Sequence, residues 1–185
     1  MKTAVYPGSF NPLHIGHKAI ISYLVSEMDF DMVYLIVSPK NPLKENISED
    51  SAEERFRAAE EAVHRCGLEN VKVDGIELGM PSPHYTIRTL EALETREPDN
   101  TFTLVMGTDQ LADIRRWKEY RKILTCYGVA VYPRKGFDLM GIKDNLLEES
   151  SKYRIRLIDA PMVDISSTEI RNAIMAGSDV SAYLM

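Results

Sequence analysis

Apolar and polar positions along this chain switch between two periods. Short runs dominated by Val, Ile, Leu and aromatic residues occur at 3–6, 32–37, 71–73, 102–106, 129–132 and 155–158. Such runs, bounded by turn residues, predict buried strands. Between them apolar residues recur at three- and four-residue steps over 17–28, 52–66, 86–96, 109–124, 143–151 and 167–176, which predicts helices. Ser51 with Glu54 three residues later predicts a capping box for the second helix, and Gly67 its stop. Ile87, Leu90 and Leu93 form the apolar stripe of the third. Strands alternating with helices predict an α/β fold with a doubly wound parallel sheet and ligands at the carboxyl ends of the strands. At 185 residues the chain suits one well-cored domain, 1–185, better than two. The long polar segment 38–50 predicts a binding loop.

Charge narrows the partners. A net charge of -6 argues against nucleic acid as the main partner, since that affinity rests on clustered Lys and Arg. It leaves room for a nucleotide, which needs only a few local positives. Cys66 and Cys126, the two cysteines, have no metal-ligand spacing and are expected to be reduced. No basic-then-apolar leader precedes Thr3, and no apolar run approaches the roughly 20 residues of a membrane span. The expectation is a cytoplasmic protein that binds no membrane. Assembly with further copies of the chain is compatible with the pattern but not specified by it.

Candidate chemistry sits after the strands. GSFNPLHIGH, residues 8–17, runs from the first strand into the first helix. Gly8 and Gly16 permit close backbone approach, the helix amides favour a phosphate, and His14 and His17 share one side of the first turn. After the second strand, Lys40 and Lys44 stand in a loop stiffened by two prolines. PHYTIRTL, residues 83–90, opens the third helix, where the Thr86 hydroxyl is placed to cap or to bind. In VMGTD, Gly107 and Asp109 join a buried strand to a helix start, with Asp109 readable as a simple cap. Trp117, the only tryptophan, lies among charged residues and offers a flat face to an aromatic or cationic ring. In ISSTEIR, residues 165–171, hydroxyls at a helix start are followed one turn later by Arg171, so amides, dipole and guanidinium converge on an anion site.

These segments carry a resemblance. GSFNPLHIGH resembles the GxFxPxHxGH signature of the nucleotidylyltransferase superfamily, related to the HIGH motif of class I aminoacyl-tRNA synthetases. The lysine-rich second signature of a synthetase is missing. PHYTIRTL resembles the SYTxxTL element of nicotinate-nucleotide adenylyltransferases, with His84 where serine is usual. MGTD resembles their MGxD segment, Trp117 and Tyr120 their WxxW pair, and ISSTEIR their ISSTxIR signature. Leu43 replaces the histidine of their Pro-His-Lys-like loop, which leaves Lys44 to be carried over.

The resemblance implies a Rossmann-like nucleotidyltransferase fold and an enzyme of NAD biosynthesis that joins ATP to nicotinate mononucleotide. His14, His17 and Arg171 would be catalytic. Gly8, Ser9, Phe10, Gly16, Gly107, Asp109, Ile165, Ser166, Ser167 and Thr168 would border ATP. Lys44, Tyr85, Thr86 and Trp117 would meet the mononucleotide, with Trp117 stacked on its pyridine ring. Mg2+ would arrive on ATP oxygen atoms, with no dedicated protein metal site. The rival expectations are a sister transferase with another acceptor, such as nicotinamide mononucleotide or phosphopantetheine, and a nucleotide sensor on the same fold. Pantetheine enzymes usually carry threonine where His14 stands.

Overall fold

A computed structural model of the chain describes residues 1–39 and 51–185. Six parallel strands form one sheet: β1 (Lys2–Gly8), β2 (Met32–Val37), β3 (Val71–Asp74), β4 (Thr101–Gly107), β5 (Val129–Tyr132) and β6 (Ile155–Leu157), in the order β3-β2-β1-β4-β5-β6. Each predicted strand is present. Ala4, Tyr6, Val33 and Leu35 point to one face, where α1 (Ile15–Ser26) and α2 (Ala52–Arg65) cover them. Val5, Ile36, Leu104 and Met106 point to the other, against α3 (Thr86–Arg96) and α4 (Thr108–Ala112). Ile21, Leu24, Leu90 and Leu93 are fully buried. Each such side chain contributes about 1.5–3 kcal/mol through the area it removes from water. Among the described residues no helix is long and apolar enough to cross a membrane.

The order reverses at β1, whose neighbours are β2 on one side and β4 on the other. A crevice therefore opens beyond Gly8 and Gly107, at the carboxyl ends of the two central strands.

The predicted 109–124 helix is a correction. The chain instead forms α4, a 3₁₀ turn at Ile114–Arg116, a single helical turn α5 (Tyr120–Lys122) and a wide π turn at Ile123–Tyr127. The apolar positions explain the break. Nine residues separate Ile114 from Ile123, so a straight helix would turn them to faces about 180° apart. Both are fully buried against the same side of the sheet. The chain meets both demands by leaving the helical path at Trp117 and restarting through Glu119, which adopts a left-handed φ of 53°.

Two starts also move. α1 begins at Ile15 because His14 supplies the cap. The sixth helix, α6 (Leu139–Glu149), begins four residues before the predicted 143 because Asp138 accepts from the Gly141 amide. The Ser51–Glu54 capping box and Gly67, at φ 62°, stand as expected. Both cysteines are free.

Candidate active site

Gly8 ends β1 where the backbone runs close to Phe10: a Cβ there would stand 3.0 Å from the Phe10 ring. Phe10 folds back at φ 46°, buried against Tyr6 (5.5 Å between ring centres) and His17 (5.3 Å). Arg55 of α2 donates to the carbonyls of Ser9 (2.8 Å) and Ser38 (2.9 Å), tying the ends of β1 and β2 together.

The loop delivers two histidines into an interlocked cap. His14 is the N-cap of α1, and its Nδ1 accepts from the Gly16 amide at 3.1 Å. His17 reaches back, its Nδ1 accepting from the His14 amide at 3.2 Å. The rings lie 3.8 Å apart, tilted by 35°. Gly16 is part of this device, since a Cβ would press on His14 at 2.9 Å. Burial, reinforced by the positive charge of Arg134 and partly offset by Glu169, lowers the His14 pKa to about 4. Burial, His14 and Arg134 lower that of His17 to about 3. Both rings are therefore neutral near pH 7. With each Nδ1 occupied as an acceptor, the ring proton resides on Nε2, which remains a donor.

The last helix, α7 (Ser167–Met175), locks onto this loop. Ser166, not Ser167, is its cap, paired reciprocally with Glu169. Ser167 is thereby released to donate to the Pro12 carbonyl at 3.0 Å. Arg171 donates to the Asn11 carbonyl at 2.6 Å and to the Thr168 hydroxyl at 3.0 Å. Ile165 forms the turn before the cap, its amide on the Val163 carbonyl.

At the neighbouring strand end, a Cβ on Gly107 would press on the Asp109 carboxylate and stand 3.0 Å from the Tyr132 ring. Gly107 also holds the cap position of α4, so Asp109 is not the cap. The Asp109 carboxylate lies 3.9 Å from Arg134 Nε. Thr108 donates to the Tyr132 carbonyl at 2.9 Å, joining β4 to β5.

A family model described as cytidylyltransferase-like matches residues 5–173. A Flavobacterium johnsoniae protein named "Probable nicotinate-nucleotide adenylyltransferase" is 35% identical over 184 residues, covering 100% of this chain and 92% of its own length. A Porphyromonas gingivalis protein of the same name is 36% identical, covering 100% and 89%. The chain belongs to the nicotinate-nucleotide adenylyltransferase family. Its fold is also that of the Plasmodium falciparum nicotinic acid mononucleotide adenylyltransferase solved in complex with NaAD. That comparison gives a TM-score of 0.75 at 19% identity, over 99% of this chain and 90% of that one. The sheet is thus the Rossmann-like nucleotidyltransferase fold expected from the sequence.

For an adenylyltransferase of this family the second substrate needs its own wall. Trp117, half-buried, lines a recess of about 250 Å³ with Asp109, Gln110, Ala112, Asp113 and Phe137. Lys118 sets its ammonium 4.8 Å from the exposed Tyr85 ring, which links this segment to the start of α3. Tyr85 holds the cap position there without a side-chain cap bond. Of the two readings of Thr86, capping is the one that does not hold: Thr86 is the first helical residue. Lys40 and Lys44 lie outside the described residues. A larger cavity, about 450 Å³, lies behind the loop between Phe10–Leu13, Arg55, Arg65 and Met185, and is not lined by the histidines.

The sequence pattern missed Arg134 and Tyr132. The available signal was their place, at the end of a predicted strand where the fold puts ligands. Among the described residues no group of three or more His, Cys, Asp or Glu could hold a metal ion.

Proposed function

We propose that the chain transfers the adenylyl group of ATP to nicotinate mononucleotide, giving deamido-NAD and pyrophosphate. The observation that carries this reading is the histidine pair interlocked through both Nδ1 atoms at the start of α1 and clamped to the start of α7. The nucleophile is the substrate's own 5′-phosphate oxygen. It attacks the α-phosphorus of ATP, a new P–O bond forms, and the bond to pyrophosphate breaks. No covalent enzyme intermediate is needed. The protein aligns the two reactants and offers donors where negative charge grows.

His14 and His17 donate Nε2–H to oxygens of the reacting phosphate without needing protonation first. The first turn of α7, with Ser166, Ser167, Thr168 and Arg171, supports the β- and γ-phosphates through amides and the helix dipole. Magnesium fits as an ion carried by ATP oxygens and water, with Asp109 the acid at the adjoining strand end. When bound it neutralises phosphate charge. Trp117 gives the pyridine ring a face for stacking, and Tyr85 and Thr86 border the same substrate. NAD biosynthesis in the cytoplasm is the setting this reaction implies.

His17→Ala tests the reading. Losing one positioned donor costs about a hundred- to a thousandfold in turnover. Pyrophosphate release should fall by that factor while circular dichroism stays that of the folded parent and the thermal midpoint drops only as far as the loss of one helix-end bond requires. Unchanged turnover would remove His17 from the chemistry.

A further inference from the structure

The histidines bring hydrogen-bond donors to the crevice but no charge, because both are neutral near pH 7. ATP brings a highly charged triphosphate. Arg171 at the start of α7 is one counter-charge, and its guanidinium also holds the histidine loop. It bonds the Asn11 carbonyl at 2.6 Å and the Thr168 hydroxyl at 3.0 Å, and so braces the loop against α7.

Arg134 is placed differently. It stands two residues beyond the end of β5, beside Lys135, whose ammonium meets the Asp164 carboxylate just ahead of α7 at 2.8 Å. Its guanidinium lies 5.2 Å from the centre of the Tyr132 ring. Tyr132 in turn lies 6.0 Å from Tyr6, and Tyr6 lies 6.0 Å from His17. A continuous aromatic wall thus runs from the guanidinium to the catalytic pair. The Asp109 carboxylate, at 3.9 Å from Nε, fixes its direction but is beyond hydrogen-bond range. The Arg134 side chain remains half exposed. Arg134 is the cation that both histidine rings sense. A planar fork with several N–H donors, held on an aromatic face and open to solvent, matches the geometry of phosphate oxygens.

We propose that Arg134 is a catalytic residue that binds triphosphate oxygens of ATP from the end of β5, in addition to Arg171 at the start of α7. The proposal rests on the adenylyl-transfer reading only in taking ATP as the nucleotide. As the P–O bond to pyrophosphate breaks, negative charge moves onto the departing oxygens, and a fixed guanidinium meets it without accepting or losing a proton.

The test compares the intact chain with Arg134→Gln and Arg134→Lys, by equilibrium binding of ATP and of adenosine and by pyrophosphate release. Arg134→Gln should weaken ATP at least about tenfold and slow release about a hundredfold. Adenosine, which lacks phosphates, should bind both proteins alike, and Arg134→Lys should recover part of each loss. Unchanged ATP affinity and turnover would overturn the proposal. So would an equal loss of ATP and adenosine affinity, which would make Arg134 a prop of the pocket wall. Should the parent release no pyrophosphate with any acceptor, adenylyl transfer fails, while the two binding constants still decide the fate of Arg134.

Discussion

His14 and His17 each spend Nδ1 on a backbone amide, so the ring tautomer is set by the fold and not by the ligand. This has a pH consequence. An unfolded histidine titrates near 6.5, whereas the folded rings titrate near about 4 and about 3. Between those values the unfolded chain binds more protons than the folded one. The stability that this pair contributes is therefore full above about pH 6.5 and is lost as pH falls through the folded values. Catalysis should show no histidine-dependent change between about pH 6 and 8. Histidine ¹H–¹⁵N spectra should give Nε2–H tautomers and titration midpoints below 5 for both rings; midpoints near 6.5 would contradict the account. The pair was legible in the sequence because its partners are local, within three residues. Arg134 was not. Its neighbours Tyr132, Tyr6 and Asp109 come together only when the sheet sets β5 beside β4 and β4 beside β1.

Helix ends do much of the positioning. Ser51 and Ser166 cap α2 and α7, each paired reciprocally with a glutamate three residues on, Glu54 and Glu169. Alanine at either cap should cost about 1 kcal/mol of stability, read as a lowered thermal midpoint. Their effects on turnover should diverge. The α7 cap sits beside Ser167 and Arg171, which grip the Pro12 and Asn11 carbonyls, so Ser166→Ala should also slow pyrophosphate release severalfold. Ser51→Ala should leave the rate within about twofold of the parent, since its loss is a helix-end loss alone. Equal kinetic effects would deny α7 its role as a brace. The Ser51–Glu54 box was readable because it spans three residues, whereas the caps His14, Asp138 and Ser166 emerged only from the structure. The broken path after α4 was not readable, because each local stretch still looks helical. The break appears only when Ile114 and Ile123 must both face one sheet.

At the scale of the molecule, strand order creates the site. β1 and β4 carry Gly8 and Gly107 to adjacent positions, and the chain places the histidine loop after one and the Asp109 turn after the other. α7 returns from the end of the sequence to close the loop, and the Trp117 recess lies on the β4 side. Alternation of strands and helices sufficed to predict a doubly wound sheet. The crevice that brings the histidine loop near Arg134 required knowing which strands are neighbours.

Pyrophosphate release from ATP and magnesium, with nicotinate mononucleotide and nicotinamide mononucleotide as parallel acceptors, tests the central claim most directly. The account predicts rapid release with the acid and at least about tenfold slower release with the amide, a difference of about 1.4 kcal/mol in transition-state binding. Equal use of the two would contradict the assigned substrate. Release with neither, in a folded chain that binds ATP, would contradict the reaction itself.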